Sequence, residues 1–133
     1  MSVANQTIQP NEVLIADDGS DERTSKLIQA FKLNHPNLNI IHVWHEDNGF
    51  QKSKILNKAI LASNTPYIIM SDGDCIPRSD FVQVHNDHKE YGYFLSGGYF
   101  MLPMNISKLT NIDDIYSGKC FDLKWLKSNG LKS

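Results

Sequence analysis

Glu12-Val13-Leu14-Ile15-Ala16-Asp17-Asp18-Gly19-Ser20-Asp21 is the stretch on which the fold turns. Its first half is short, apolar and β-branched, the composition of a strand buried on both faces. Its second half is acidic and turn-forming, and it leads straight into a helical pattern. Ser20 or Asp21 can cap that helix, with Leu27, Ile28 and Phe31 as its apolar face and an end near Asn34-His35-Pro36. The same alternation recurs downstream. Ile40 to Trp44 and Tyr67 to Met70 read as further buried strands. Helices are predicted from about Gln51 to Ser63, with Ile55, Leu56, Ala59 and Ile60 inward, and from Ser79, with Phe81, Val84, His88 and Tyr91 along one side. Tyr93 to Leu102 reads as one more strand, interrupted at Gly97-Gly98. Strands alternating with helices predict an α/β fold with a mainly parallel sheet.

Length and composition bound the function. A chain of 133 residues suits one domain, and 13 Lys+Arg against 15 Asp+Glu argue against a basic nucleic-acid module, so no nucleic-acid partner is expected. No apolar run approaches the roughly 18 to 20 residues that span a bilayer. The polar start (Ser2, Asn5, Gln6, Thr7, Gln9) predicts no secretory signal. Cys75 and Cys120 are too few and too separated for a disulfide framework or a zinc site. A reduced, cytoplasmic protein is the expectation.

In parallel sheets ligands gather beyond the carboxyl ends of the strands. There this sequence places Asp17-Asp18-Gly19-Ser20, then His45-Glu46-Asp47-Asn48-Gly49-Phe50, then Ser71-Asp72-Gly73-Asp74. Carboxylates gathered at one rim repel one another unless a cation or a donor-rich ligand offsets them. Asp72 and Asp74, two residues apart, can reach one hard cation, Mg²⁺ or Mn²⁺, that shares its shell with phosphates; the competing reading is a solvated β-turn. Asp17 or Asp18 can accept hydrogen bonds from a base or a ribose, or simply form the turn before the helix. Lys52 and Lys54, with Asn57, begin a helix where phosphate is favoured, against an ordinary exposed lysine face. His35, His42, His45, His85 and His88 lack metalloprotease spacing; His85 and His88 can pair on a metal, but surface or packing roles are the better reading. Cys75, beside carboxylates, is read as packing.

Taken in order, Val13-Leu14-Ile15-Ala16-Asp17-Asp18-Gly19-Ser20, then Glu46-Asp47-Asn48-Gly49-Phe50 with Asn57-Lys58-Ala59-Ile60, then Asp72-Gly73-Asp74-Cys75-Ile76-Pro77 resemble family 2 glycosyltransferases, over roughly Ser2 to Leu102. The resemblance implies the GT-A fold, a nucleotide-binding α/β sandwich, and inverting transfer from a nucleotide-sugar, with a UDP-sugar expected, to a hydroxyl of a glycan or glycoconjugate. Carried onto matching positions, it implies that Asp17 contacts the base with Asp18 nearby, and that Lys52 or Lys54 lies near the base or diphosphate. It further implies that Asp72 reaches the ribose, that Asp74 binds Mn²⁺ or Mg²⁺ with Asp72 beside it, and that Gly97 passes close to the donor sugar.

The sequence also departs from that pattern. The family's opening strand has no counterpart before Ser2, and its general base is expected to lie beyond this chain. Asp113 and Asp114 are the only paired carboxylates after Leu102, without the family's surrounding residues. Residues 1–133 are therefore expected to form one partial GT-A domain with a divergent segment over 103–133, an open sheet edge and a tendency to form homo-oligomers. Lys119 to Ser133 carries Lys119, Lys124, Lys127 and Lys132 with Phe121, Trp125 and Leu126. It reads as a terminal helix packed on the sheet, or alternatively as a basic amphipathic helix making peripheral contact with the inner face of a membrane. Two other classes compete with a glycosyltransferase: a non-catalytic nucleotide-binding or scaffolding fragment, and a nucleotidyltransferase-like enzyme, against which stands the lack of a Gly-rich phosphate loop.

Overall fold

Five consecutive residues, Val13–Asp17, form strand β1, and five more, Ile40–Trp44, form β2. The two run parallel in the register Val13↔Ile40 through Asp17↔Trp44, so both end at the same rim. The computed structural model describes residues 2–131. Their backbone divides into two compact units, Pro10–Met70 and the flanking residues up to Gln9 and from Ser71 onward.

The Pro10–Met70 unit is α/β. Helix α1, Glu22–Asn34, starts where Asp21 accepts the Arg23 amide proton and ends at His35, whose ring stacks on Phe31. Helix α2, Lys52–Ala62, packs on both strands and buries Ile55 and Ala59; Ile40 of β2 and Ile28 of α1 are buried as well. Glu12 ties the end of α2 back to the entry of β1: its carboxylate accepts from Ser63 Oγ and the Asn64 amide, both at 2.7 Å. Ile55 is only 2% exposed. Ile55→Ala should therefore cost about 2 to 5 kcal/mol of stability, read from the urea midpoint. Ile60, expected inward, is instead exposed on the open side of the same helix, and Ile60→Ala should stay within about 0.5 kcal/mol.

The second unit is helical. A 3-10 turn, Ser2–Asn5, is joined by α3, Phe81–His88; α4, Met104–Leu109; α5, Ile112–Tyr116; a 3-10 turn, Lys119–Phe121; and α6, Leu123–Ser128. Gln6 is its polar pin, buried while its amide donates to the Ser2 and Arg78 carbonyls and its oxygen accepts from Val82 N–H. Ile106, Cys120 and Leu126 form its apolar centre. Burial pushes the Cys120 thiol up.

Several expectations need correction. Tyr67 to Met70 has the alternating exposure of a strand, yet it joins no ladder among the described residues. Among the described residues the sheet has two strands, and each has one unpaired edge. Apolar character favours an extended conformation, but a strand also needs a neighbouring backbone to accept its hydrogen bonds. Tyr93 to Leu102 likewise forms no strand, and its Tyr93, Phe94, Tyr99 and Phe100 side chains are exposed. Leu27 points outward while Ile28 points in. On α3 the partly buried side is Phe81, Val82, Gln83 and His85, whereas Val84 and His88 are exposed and Tyr91 lies past the helix. The predicted terminal helix is shorter than expected, a 3-10 turn followed by α6, and Lys132 lies outside the described residues. Among the described residues no helix is long and apolar enough to cross a membrane.

Candidate nucleotide-sugar site

The parallel register delivers the ends of β1 and β2 side by side, and the residues that follow them interlock. Asp17 closes the turn after β1. Its Oδ1 accepts the Ser20 amide proton at 2.9 Å, its Oδ2 accepts the Ser20 hydroxyl, and His42 Nε2 on β2 lies 2.8 Å from the same oxygen. Burial opposes ionisation of Asp17, but the Ser20 and His42 hydrogen bonds outweigh it and hold the carboxyl below its usual range. Since the ionised carboxylate only accepts, His42 donates from Nε2. Asp17 is 8% exposed, with three donors already on its two oxygens.

Asp18 is held differently. His45 Nε2 lies 2.6 Å from its Oδ1, and the Gln51 amide donates to Oδ2 at 2.8 Å. The His45 bond is the main influence lowering the Asp18 carboxyl; burial opposes it and the Gln51 amide reinforces it. The side chain remains 24% exposed, so Asp18 is the member of the pair that a ligand can reach. Gln51 immediately precedes α2, and Asp18 thereby fixes the start of the helix that carries Lys52 and Lys54. Both lysines are exposed in its first turn.

Gly19 makes the interlock sterically possible. Its φ is +88°, and a Cβ built there would sit 2.6 Å from Asp47 Cα. The turn after β1 thus rests against the backbone of the loop after β2. That loop is organised by Asp47, which accepts the Gly49 amide proton at 2.9 Å. On the other side, Trp44 Nε1–H donates to the Ser20 carbonyl at 3.0 Å, beside a cleft lined by Ser20, Asp21, Glu22, Ser25 and His42.

Asp72, Asp74 and Gly97 belong to the other compact unit. Asp72-Gly73-Asp74-Cys75 forms a turn closed by Cys75 N–H to the Asp72 carbonyl at 3.1 Å, and its residues are exposed. Gly97 lies in the exposed, irregular segment before α4. Among the described residues, no group of three or more His, Cys, Asp or Glu side chains is assembled to hold a metal. The Asp72 and Asp74 carboxylates are hard oxygen donors on an open turn. That chemistry fits a Mg²⁺ or Mn²⁺ ion whose remaining positions are filled by diphosphate and water, rather than an all-protein cage.

Residues 1–95 match the family model described as Glycosyl transferase family 2. The chain belongs to that family. This family 2 chain is 33% identical to the chondroitin synthase of Escherichia coli over 78 residues, 59% of the chain and 11% of the relative. It is 35% identical to the hyaluronan synthase of Pasteurella multocida over 75 residues, 56% of the chain and 7% of the relative. The family 2 chain thus spans only a small part of the length of these relatives. No solved structure matches it. The two-stranded parallel sheet with its flanking helices agrees with a partial GT-A-like domain.

Some site residues escaped the sequence. Sequence alone assigns His42 and His45 no role beyond their lack of metalloprotease spacing, yet each is bonded to a carboxylate of the Asp17-Asp18 pair. The available signal was a histidine within or just after a strand whose parallel neighbour ends in aspartates, and it becomes legible only once the register is known. Cys75 is exposed rather than packed, because its turn projects it outward. Asp114 is a helix cap: its carboxylate accepts the Asn111 amide proton, Asn111 Oδ1 accepts the Asp114 amide proton, and Lys119 lies 3.6 Å away.

Proposed function

We propose that this chain binds a UDP-sugar, with Mn²⁺ or Mg²⁺, for inverting transfer to a hydroxyl of a glycan or glycoconjugate acceptor. The observation that carries the reading is the accessible Asp18 carboxylate, clamped at the end of a parallel strand pair in a chain of a glycosyltransferase family. A fixed carboxylate is an acceptor for an imide N–H such as that of uracil. Cytosine presents a lone pair at the same ring position and would be repelled. Lys52 and Lys54 supply positive charge near the start of α2, suited to the diphosphate. The relatives are named as synthases of glycan polymers, which supports a glycan acceptor.

In the transfer, the acceptor oxygen forms a bond to the anomeric carbon as the bond from that carbon to the diphosphate breaks. The nucleoside diphosphate departs with the bonding electron pair, and the hydroxyl proton passes to a base. Asp74, with Asp72 beside it, would hold the metal, which when bound supplies positive charge to the diphosphate. Asp114 is committed to its cap and Lys119, which argues against it as that base.

Calorimetric titration with UDP, with and without Mn²⁺, tests the proposal. Binding should require the metal in the native protein and fall at least about tenfold in Asp74→Ala. Equal affinity in the two proteins would remove Asp74 from the metal site. A folded protein that binds no UDP under either condition would overturn the reading as a whole.

A further inference from the structure

We propose that His45 is a positioning residue that fixes Asp18 for a nucleobase N–H and so sets a preference for uridine over cytidine nucleotides. The inference rests on the nucleotide reading above and extends it to a residue outside the motif. Asp18 is gripped at both oxygens, by His45 Nε2 at 2.6 Å and by the Gln51 amide at 2.8 Å. Two donors on different oxygens set the plane of the carboxylate, and each oxygen keeps a lone pair for a further donor. The Gln51 donor is backbone, held by the start of α2. The His45 donor is a grip on Asp18 that depends on side-chain identity.

Accessibility separates the two roles. The Asp18 side chain is 24% exposed and that of His45 is 9% exposed, so a ligand meets the carboxylate and not the imidazole. Among the described residues, moreover, no hydrogen-bond partner reaches the buried His45 Nδ1. A buried polar atom left unpaired lowers stability, and an aromatic hydrocarbon of similar size would fill the space without that penalty. Packing alone therefore does not account for a histidine here, whereas donation from Nε2 to Asp18 does. Departures from locally favourable chemistry of this kind gather at functional positions.

His45→Phe keeps a ring in place, removes the donor and removes the unpaired nitrogen. The native protein should bind UDP more tightly than CDP. In His45→Phe, affinity for UDP should fall about tenfold and the UDP to CDP ratio should approach one, while the urea midpoint changes little. His45→Gln, which retains an N–H donor, should recover part of the preference. A second measurement needs no substitution in the protein observed. In the native protein labelled with ¹⁵N-histidine, the His45 Nε2–H resonance, assigned by its disappearance in His45→Gln, should shift when UDP is added. A folded His45→Phe with native UDP affinity and preference, or an Nε2–H resonance unmoved at saturating UDP, would overturn the role of His45 and leave the nucleotide reading standing. Absence of UDP binding by the native protein would instead defeat the nucleotide reading, and this inference with it.

Discussion

Gly19→Ala is expected to lower the unfolding free energy by roughly 2 to 5 kcal/mol, a large part of what a small domain possesses. Two separate penalties add. The φ of +88° lies in the region that L side chains rarely adopt, and the new methyl would sit 2.6 Å from Asp47 Cα and 2.8 Å from its amide nitrogen. These are backbone atoms, so relief requires moving the loop after β2 away from the turn after β1. Gly49 supplies the control: its φ is +80°, but nothing lies within 4 Å of a Cβ built there. Gly49→Ala should show the conformational penalty alone, about 1 to 2 kcal/mol. The difference between the two urea midpoints then measures the close approach. Equal effects at Gly19 and Gly49 would mean that the two loops do not interlock.

That interlock marks where sequence reading succeeded and where it stopped. β2 follows Ile40 to Trp44 residue for residue, α1 starts at its Asp21 cap, and α2 falls where its apolar periodicity places it, because these signals act within a few residues of chain. The Asp17-Asp18-Gly19-Ser20 segment was legible as a turn between strand and helix for the same reason. Most of the failures involve partners distant in sequence. Tyr67 to Met70 carries a strand's composition, but a ladder depends on another backbone that local pattern does not specify. On α1 the stripe through Leu27, Ile28 and Phe31 is wide enough to be rotated either way, and only packing decided that Leu27 faces solvent. The His42–Asp17 and His45–Asp18 bonds span 25 and 27 residues and come within reach only when the two strands are paired in parallel. The resemblance named the motif residues, and the structure supplied what holds them.

The division of labour inside the aspartate pair gives the second large effect. Asp17→Asn should cost about 2 to 4 kcal/mol at neutral pH. The asparagine oxygen can still accept from the Ser20 amide, but its NH₂ group cannot accept from His42 Nε2–H, so the charge-assisted bond is lost and His42 must change tautomer in a site that is 8% exposed. The pH dependence has a definite sign. The Asp17 carboxyl is held below its ordinary range in the folded protein, so its contribution is fully present above the unfolded-chain value of about 3.9 and is lost as pH falls through the lower folded value. The stability gap between the native protein and Asp17→Asn should therefore be widest at neutral pH and close in acid. Asp21→Asn serves as the comparison, since its carboxylate is largely exposed and paired with Arg23 at the surface, and it should change the urea midpoint far less. Urea midpoints taken from pH 7 downward measure the gap directly. Profiles that run parallel for the native protein and Asp17→Asn would mean that the Asp17 charge does not anchor the turn. A closing gap assigns Asp17 to holding that turn against β2 through His42, and leaves Asp18 as the carboxylate free to meet a ligand.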